Sequence, residues 1–255
     1  MRTLVAVPTY VEAENIREML TRLRAAVPDA DVLVIDDNSP DGTADVAEEV
    51  AGELGGIEVL RRPAKKGLGN AYRAGFGIAI DRGYDLICQI DADLSHDPAA
   101  LPSLLAAVRD GADMAIGSRY VPGGTIPHWP AYRRAMSRYG NLYAGVMLGH
   151  AVKDSTSGYR AYRTTTLEGV EFQNTKANGY LFQIELAYRV WLWGGSIVER
   201  PIAFTDRVRG YSKMSWQVVA EEMLMVTWWG VRDRVKPHWH GAKRRPGLPR
   251  LRRST

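Results

Sequence analysis

Apolar and polar residues change period in blocks along the first half of the chain. "TLVAVPTY" (3–10) is a short apolar run, and "EAENIREMLTRLRAAV" (12–27) then returns apolar residues every three or four positions. The first kind of run predicts a buried strand and the second an amphipathic helix. The alternation continues. "ADVLVIDDNSPDGT" (30–43) predicts a strand ending in acids and turn residues, and "ADVAEEVAGEL" (44–54) a helix capped by Thr43. "IEVLRRP" (57–63) is a third strand, "GLGNAYRAGFGIAIDRG" (67–83) a Gly-rich helix, and "YDLICQIDAD" (84–93) a fourth strand. "PAALPSLLAAVRDG" (98–111) and "DMAIGSRY" (113–120) add a helix and a fifth strand. Strands alternating with helices predict the α/β class, with a mixed, mainly parallel sheet flanked by helices.

After Tyr120 the pattern changes. A loop (121–130) leads to a helix over 131–149, with arginines at its start and apolar residues later. Residues 152–170 are polar and turn-rich, 180–195 form an apolar helix, and 196–213 a strand followed by a basic loop. The last helix, "SWQVVAEEMLMVTWWGVRDRV" (215–235), carries Trp216, Trp228 and Trp229. Two uses fit such a helix: packing on the core, or lying in a membrane interface. The chain thus divides into a domain over 1–215, an amphipathic helix over 216–235 and a basic tail over 236–255.

Composition narrows the picture. The chain has 255 residues, 45% hydrophobic and 24% charged, enough for one large core. The formal charge of +4 is carried by the tail: its seven Lys/Arg and no acids leave residues 1–235 at −3. That balance argues against nucleic acid as a partner. The tail itself fits a solvated end or attraction to anionic lipid headgroups. A lone Cys88 excludes a disulfide framework. Neither a signal peptide nor a spanning apolar run is visible, so a cytoplasmic location is expected.

In parallel sheets ligands bind beyond the carboxyl ends of the strands. Asp36 and Asp37 fall at one predicted strand end, Asp91 and Asp93 at another. Residues two apart on an extended chain point to one side, so Asp91 and Asp93 converge and repel unless a cation lies between them. Hard oxygen ligands suit Mg²⁺ or Mn²⁺, which complete their shells with phosphate oxygens and water. The pair therefore points to a phosphorylated ligand, a nucleotide diphosphate above all. A plainer alternative is two acids capping the following turn.

Several spaced motifs favour the first. "VPTYVEAEN", "VIDDNSPDGT", "KKGLGNAYRAGF", "QIDADLSHDP", "GSRYVPGG", "DSTSGYRAYR" and "FTDRVRGYSKMS" occur in order. Over about residues 3–215 the sequence resembles the inverting glycosyltransferases of family 2 with the GT-A fold. Within them it is similar to dolichyl- or polyprenyl-phosphate mannosyltransferases. The resemblance implies transfer of mannose from GDP-mannose to a polyprenyl monophosphate, at the cytosolic face of a membrane. A separate membrane protein is implied as anchor for members lacking a transmembrane domain. A UDP-glucose-dependent glucosyltransferase is the nearest alternative, and a non-catalytic nucleotide-sugar-binding scaffold a more distant one.

Position by position, the resemblance assigns Pro8, Tyr10, Glu12, Ile35, Asp37 and Ala92 to the nucleotide pocket, with Tyr10 against the guanine ring. Glu12 also fits a helix-start acid, and Asp36 an organiser of its turn. Asp91 and Asp93 are implied as metal ligands. Ser95 stands where related sequences often have a glutamine ligand, which leaves the third ligand open. Arg119, Arg207 and Lys213 are implied around the diphosphate, where cations stabilise the leaving group. Arg133 and Ser137 are implied at the acceptor phosphate, with Arg134 and Arg138 repeating the spacing on the next helical stripe. Asp154, Ser157 and Arg160 are implied in shaping the sugar and acceptor pocket. A phosphate nucleophile is already anionic, so no general base is required.

Overall fold

A computed structural model describes residues 1–206 and the helix over 216–235. The strands are β1 (Thr3–Thr9), β2 (Asp31–Asp36), β3 (Ile57–Arg61), β4 (Leu86–Gln89), β5 (Met114–Ser118), β6 (Arg160–Arg163) and β7 (Ile197–Pro201). The helices are α1 (Ala13–Ala26), α2 (Thr43–Leu54), α3 (Leu68–Asp81), α4 (Leu101–Arg109), α5 (Ala131–Leu148), α6 (Thr164–Gly169), α7 (Gly179–Trp193) and α8 (Trp216–Val235). One sheet runs in the order β3-β2-β1-β4-β6-β5-β7, with only β6 antiparallel to its neighbours.

Both faces of the sheet are covered, which explains why its first strands read as continuous apolar runs. Along β1, Leu4 and Ala6 enter one core while Val5 and Val7 enter the other. The first core is filled by α3, α5, α7 and α8 through Tyr72, Phe76, Ala144, Phe182, Tyr188 and Trp229. The second holds Ile16, Leu20, Val50 and Leu104 from α1, α2 and α4. The chain builds outward from β1 to β3, then returns to place β4 on the other side of β1. This reversal opens a crevice at the carboxyl ends of β1, β2 and β4.

Three expectations change. Thr43 is the first residue of α2 rather than its cap; Gly42 takes that position in a left-handed conformation, and the Thr43 hydroxyl accepts from the Glu12 amide at 3.0 Å. β4 stops at Gln89, so Asp91 and Asp93 lie in the turn beyond it, not on the strand. The polar segment 152–170 contains β6 in the interior of the sheet. Its sequence, RAYR, conceals this because the Arg160 guanidinium is fully enclosed, bonded to the carbonyls of Ser155, Ser157 and Gln183. Arg163 similarly donates to Val108 and Ala112 carbonyls.

One face of α8 packs on α5 and α7. Val226 and Trp229 are buried, and the Tyr188 hydroxyl donates to Asp233 at 2.7 Å. Tyr143 and Thr227 are hydrogen-bonded across the seam. Trp228 stays exposed, its ring under the Arg232 guanidinium at 4.1 Å. No helix among the described residues is long and apolar enough to cross a membrane.

Gly230 allows the close approach of α8: a Cβ there would collide with the Met147 carbonyl of α5. Gly230→Ala should therefore destabilise the protein by about 1–3 kcal/mol, read by urea denaturation. An unchanged transition midpoint would show that the α5–α8 contact does not hold in solution.

Candidate active site

The crevice is a cavity of ≈ 470 Å³, within the range of small-molecule sites. The end of β1 contributes Pro8, Thr9, Tyr10 and Glu12, and the turn after β2 contributes Asp37. The turn after β4 contributes Asp91, Ala92 and Asp93. Lys65, Gly67, Leu68 and Ala71 come from the start of α3, Thr156 and Gly158 from the approach to β6, and Asn178, Gly179, Tyr180 and Gln183 from α7.

Each of the three strand-end turns contains a non-glycine residue in the left-handed region: Val11 (φ 62°), Asn38 (φ 58°) and Leu94 (φ 61°). Such conformations are costly, most of all for β-branched valine, and persist only where surrounding bonds over-determine them. Those bonds are present. Asp36 accepts from the Thr9 hydroxyl (2.9 Å) and from the Ser39 amide (2.8 Å) and hydroxyl (2.5 Å). Asp36 is thus the organiser of its turn. Asp37, beside it, faces the cavity and pairs with Arg62 at 2.6 Å. Glu12 precedes α1 and accepts from Asn15 at 2.8 Å, while also bordering the cavity.

Asp91 and Asp93 both line the cavity. Asp91 Oδ1 accepts from the Tyr72 hydroxyl at 3.0 Å. Burial, followed by the Asp91 charge, raises the Tyr72 pKa well above its ordinary value, so the phenol remains a donor. Gly158 packs closely here: a Cβ would stand 3.1 Å from Asp91 Oδ2. Asp93 Oδ1 accepts from the Ser95 amide at 3.1 Å and from the Ser95 hydroxyl. Ser95 thus grips Asp93 from behind, and it does not border the cavity. No group of three or more His, Cys, Asp or Glu side chains forms a metal cage among the described residues. Two carboxylates on one wall are a hard-oxygen set that fits Mg²⁺ or Mn²⁺ completed by phosphate and water, and does not fit a soft metal. Burial pushes His96, next to this turn, down to about 4, so it adds no cation there at neutral pH.

Other candidates lie behind the wall. Ile35 is enclosed in the core, where its side chain closes on Gly75. Arg119 is not on the cavity surface; its Nε and Nη2 hold Asp154 at 2.8 and 2.6 Å, and Nη2 also reaches the Thr156 hydroxyl at 2.8 Å. Burial opposes the Arg119 charge, but Asp154 outweighs it and raises the arginine pKa; the same pairing lowers that of Asp154. The Ser157 hydroxyl donates to the Gly117 carbonyl at 2.7 Å. Asp154, Ser157 and Arg160 therefore shape the wall from beneath, without lining it.

Arg133 stacks on Trp129 at 4.1 Å and donates to Asp206 at 3.0 Å; the Trp129 indole donates to the same carboxylate oxygen at 2.8 Å. Ser137 is half-buried one turn along α5, and Arg134 and Arg138 are exposed. The Asn141 amide links the Ser137 carbonyl (3.0 Å) to the Thr156 hydroxyl (3.1 Å), which ties the start of α5 to the cavity wall. Arg207, Lys213 and the basic tail lie outside the described residues.

Sequence reasoning assigned no role to Lys65, whose ammonium sits 3.6 Å over the Tyr10 ring, nor to Tyr72, although "KKGLGNAYRAGF" contains both. It also passed over Gln183, a polar residue inside the apolar helix α7. That mismatch was the available signal.

The Arg119–Asp154 pair gives a test of these roles. Asp154→Asn should strand a buried guanidinium and cost about 3–5 kcal/mol in urea denaturation. Unaltered stability would exclude a structural role for the pair.

Comparisons with known proteins identify the family and the fold. The model of "Glycosyl transferase family 2" matches residues 4–170. An undecaprenyl-phosphate mannosyltransferase of Micrococcus luteus is 48% identical over 248 residues, 97% of this chain and 100% of the relative. A polyprenol monophosphomannose synthase of Mycolicibacterium smegmatis is 47% identical over 235 residues, 92% of this chain and 89% of the relative. Among solved structures, a mannosyltransferase of Pyrobaculum calidifontis in complex with GDP-Man and Mn²⁺ superposes with a TM-score of 0.63. It is 16% identical and is matched over 91% of this chain and 64% of that one, a likeness of fold. With its mixed seven-stranded sheet, its acid-lined crevice at the strand ends and these relatives, the chain belongs to glycosyl transferase family 2 and has a GT-A-like fold.

Proposed function

We propose that the protein transfers mannose from GDP-mannose to a polyprenyl monophosphate, releasing GDP and inverting the anomeric centre. The observation that carries this is the near full-length likeness to two relatives named for undecaprenyl-phosphate and polyprenol mannosyl transfer. The cavity supplies supporting chemistry. Tyr10 offers a ring face to a base, and the Asp37 carboxylate accepts from base or ribose hydroxyl donors. Ala92 leaves room for a close backbone approach. Asp91 and Asp93 would hold Mg²⁺ or Mn²⁺, an ion that neutralises charge on a leaving diphosphate. Arg207 and Lys213 would add cations to the same charge, with Arg119 acting through Thr156.

On the acceptor side, Arg133 is oriented by Trp129 and Asp206 and would receive the lipid phosphate together with Ser137 and the first amides of α5. Arg134 and Arg138 would strengthen the positive field around it. The phosphate monoester attacks as an anion, so the chain's task is alignment and stabilisation of the departing charge. Each labelled donor, incubated with polyprenyl phosphate and Mg²⁺ or Mn²⁺, separates the donor readings. GDP-mannose should yield labelled lipid, and Asp91→Ala should lower the rate at least a hundredfold. Labelled lipid from UDP-glucose alone would sink the donor assignment; undiminished turnover by the Asp91 variant would remove the metal role.

The same reading sets the protein on a membrane surface. Tyr132, Tyr139, Leu142 and Val146 make a stripe on α5, and Leu224, Trp228 and Val231 one on α8, each side chain at least half exposed. Both stripes flank the seam where Tyr143 and Met147 meet Thr227 and Gly230. Apolar and aromatic faces beside arginines suit an interface of anionic lipid. Wild type should float with anionic vesicles, and the double variant Leu142→Asp, Trp228→Asp should remain in the dense fraction. Equal flotation of both would exclude this face.

A further inference from the structure

Lys65 sets its ammonium 3.6 Å from the centre of the Tyr10 ring, and both residues border the cavity. Lys65 is an exposed residue, within reach of whatever enters there. Its place along the crevice follows from the sheet. β2 and β4 lie on opposite sides of β1, so their ends stand about 10 Å apart at the usual strand spacing. Asp91 and Asp93 follow β4, whereas Asp37 follows β2. Lys65 belongs to the Asp37 end: the amide of its neighbour, Lys66, donates to Asp37 Oδ2 at 3.4 Å. Asp37 Oδ1 takes Arg62 at 2.6 Å, and a carboxylate with two such bonds still has lone pairs to offer.

This end of the cavity thus holds an aromatic face, a carboxylate and an ammonium. With metal and diphosphate at Asp91 and Asp93, the distance from β4 to β2 leaves room for a ribose and brings the base to Tyr10. The ammonium covers a face of the ring on which that base would stack. Lysine reaches the ring on a flexible four-carbon stem, so the contact is readily exchanged. A base taking the ring face moves the ammonium to its own edge. There the chemistry of the edge matters, because an ammonium donates and cannot accept. Guanine presents O6 and N7 acceptors and uracil an O4 acceptor; adenine and cytosine present amino groups at the equivalent positions.

We infer that Lys65 Nζ leaves the Tyr10 face as the base stacks there and donates to its exocyclic carbonyl oxygen, O6 of guanine, so that the pocket selects oxo bases over amino bases. This rests on the reading of the cavity as a nucleotide-sugar site. Adenine brings its N6 amino group against a second donor, and no bond forms. Asp37 complements the choice, since an ionised carboxylate only accepts and suits the N1–H beside O6 of guanine. Lys65 is a specificity residue for the base and takes no part in moving the sugar.

Isothermal titration of GDP into wild type, Lys65→Met and Lys65→Arg, with Mn²⁺ present and ADP measured by displacement of GDP, tests it. Wild type should prefer GDP to ADP. Lys65→Met keeps most of the side chain's length and removes the donor. Its affinity for GDP should fall about tenfold, as expected for one lost charge-assisted hydrogen bond, with ADP held within about twofold. Lys65→Arg, which restores a cationic donor, should recover GDP affinity to within about threefold. Equal losses of GDP and ADP in the Met variant would mean a diphosphate or purely stacking role and overturn the inference. Unchanged GDP affinity in that variant, or a wild type indifferent between GDP and ADP, would do the same. Wild type that does not bind GDP at all would bring down the reading of the cavity, and the inference with it.

Discussion

A buried ion pair, Arg119 with Asp154, joins the second half of the molecule to the first. Arg119 directly follows β5, and Asp154 lies in the approach to β6. Asp154 receives three bonds from Arg119, and its own amide donates to Glu199 of β7 at 3.0 Å. Arg119 reaches Thr156, and Thr156 reaches Asn141 of α5. Four elements therefore meet around two charges that have lost their water. Desolvation alone would drive both neutral; the bidentate geometry keeps them ionised and makes the junction intolerant of losing either partner.

What this junction supports is an antiparallel strand inserted into an otherwise parallel sheet. β6 closes the sheet beside β4, and the segment leading into it brings Gly158 against Asp91 and Thr156 to the cavity wall. The first half supplies the other wall through three turns, each with a left-handed residue beside a cavity-lining residue. Strain in those turns is sustained by side-chain bonds such as those of Thr9 and Ser39 to Asp36. The site is therefore braced by side-chain bonds on both sides.

Cations near the site are organised by carboxylates. Arg62 is held by Asp37, Arg119 by Asp154 and Arg133 by Asp206. A guanidinium with one edge fixed still has other N–H groups to offer, and its direction is settled in advance. Lys65 is held differently, by the face of Tyr10. Electrostatic stabilisation of a transferring group depends on such preorganisation more than on the number of charges.

Much of the architecture was legible in the sequence because both faces of the sheet are buried. β1 and β2 had to be apolar runs, the helices between them had to be amphipathic, and acids at the strand ends could only fall at the ligand edge. Asp37, Asp91 and Asp93 were visible for that reason. β6 was not, because its arginines satisfy themselves on carbonyls that come from α4, α7 and their own loop, partners no local pattern contains. Arg119 read as a cation at the diphosphate until its partner 35 residues away came into view. Ser95 likewise changed from a candidate ligand to the residue that holds Asp93. The sequence by itself determined which segments are strands and helices and which acids reach the cavity, since those follow from periodicity and burial. Only the tertiary structure decided which polar groups face the cavity and which are spent on one another, because hydrogen-bond partners are chosen in space and not along the chain.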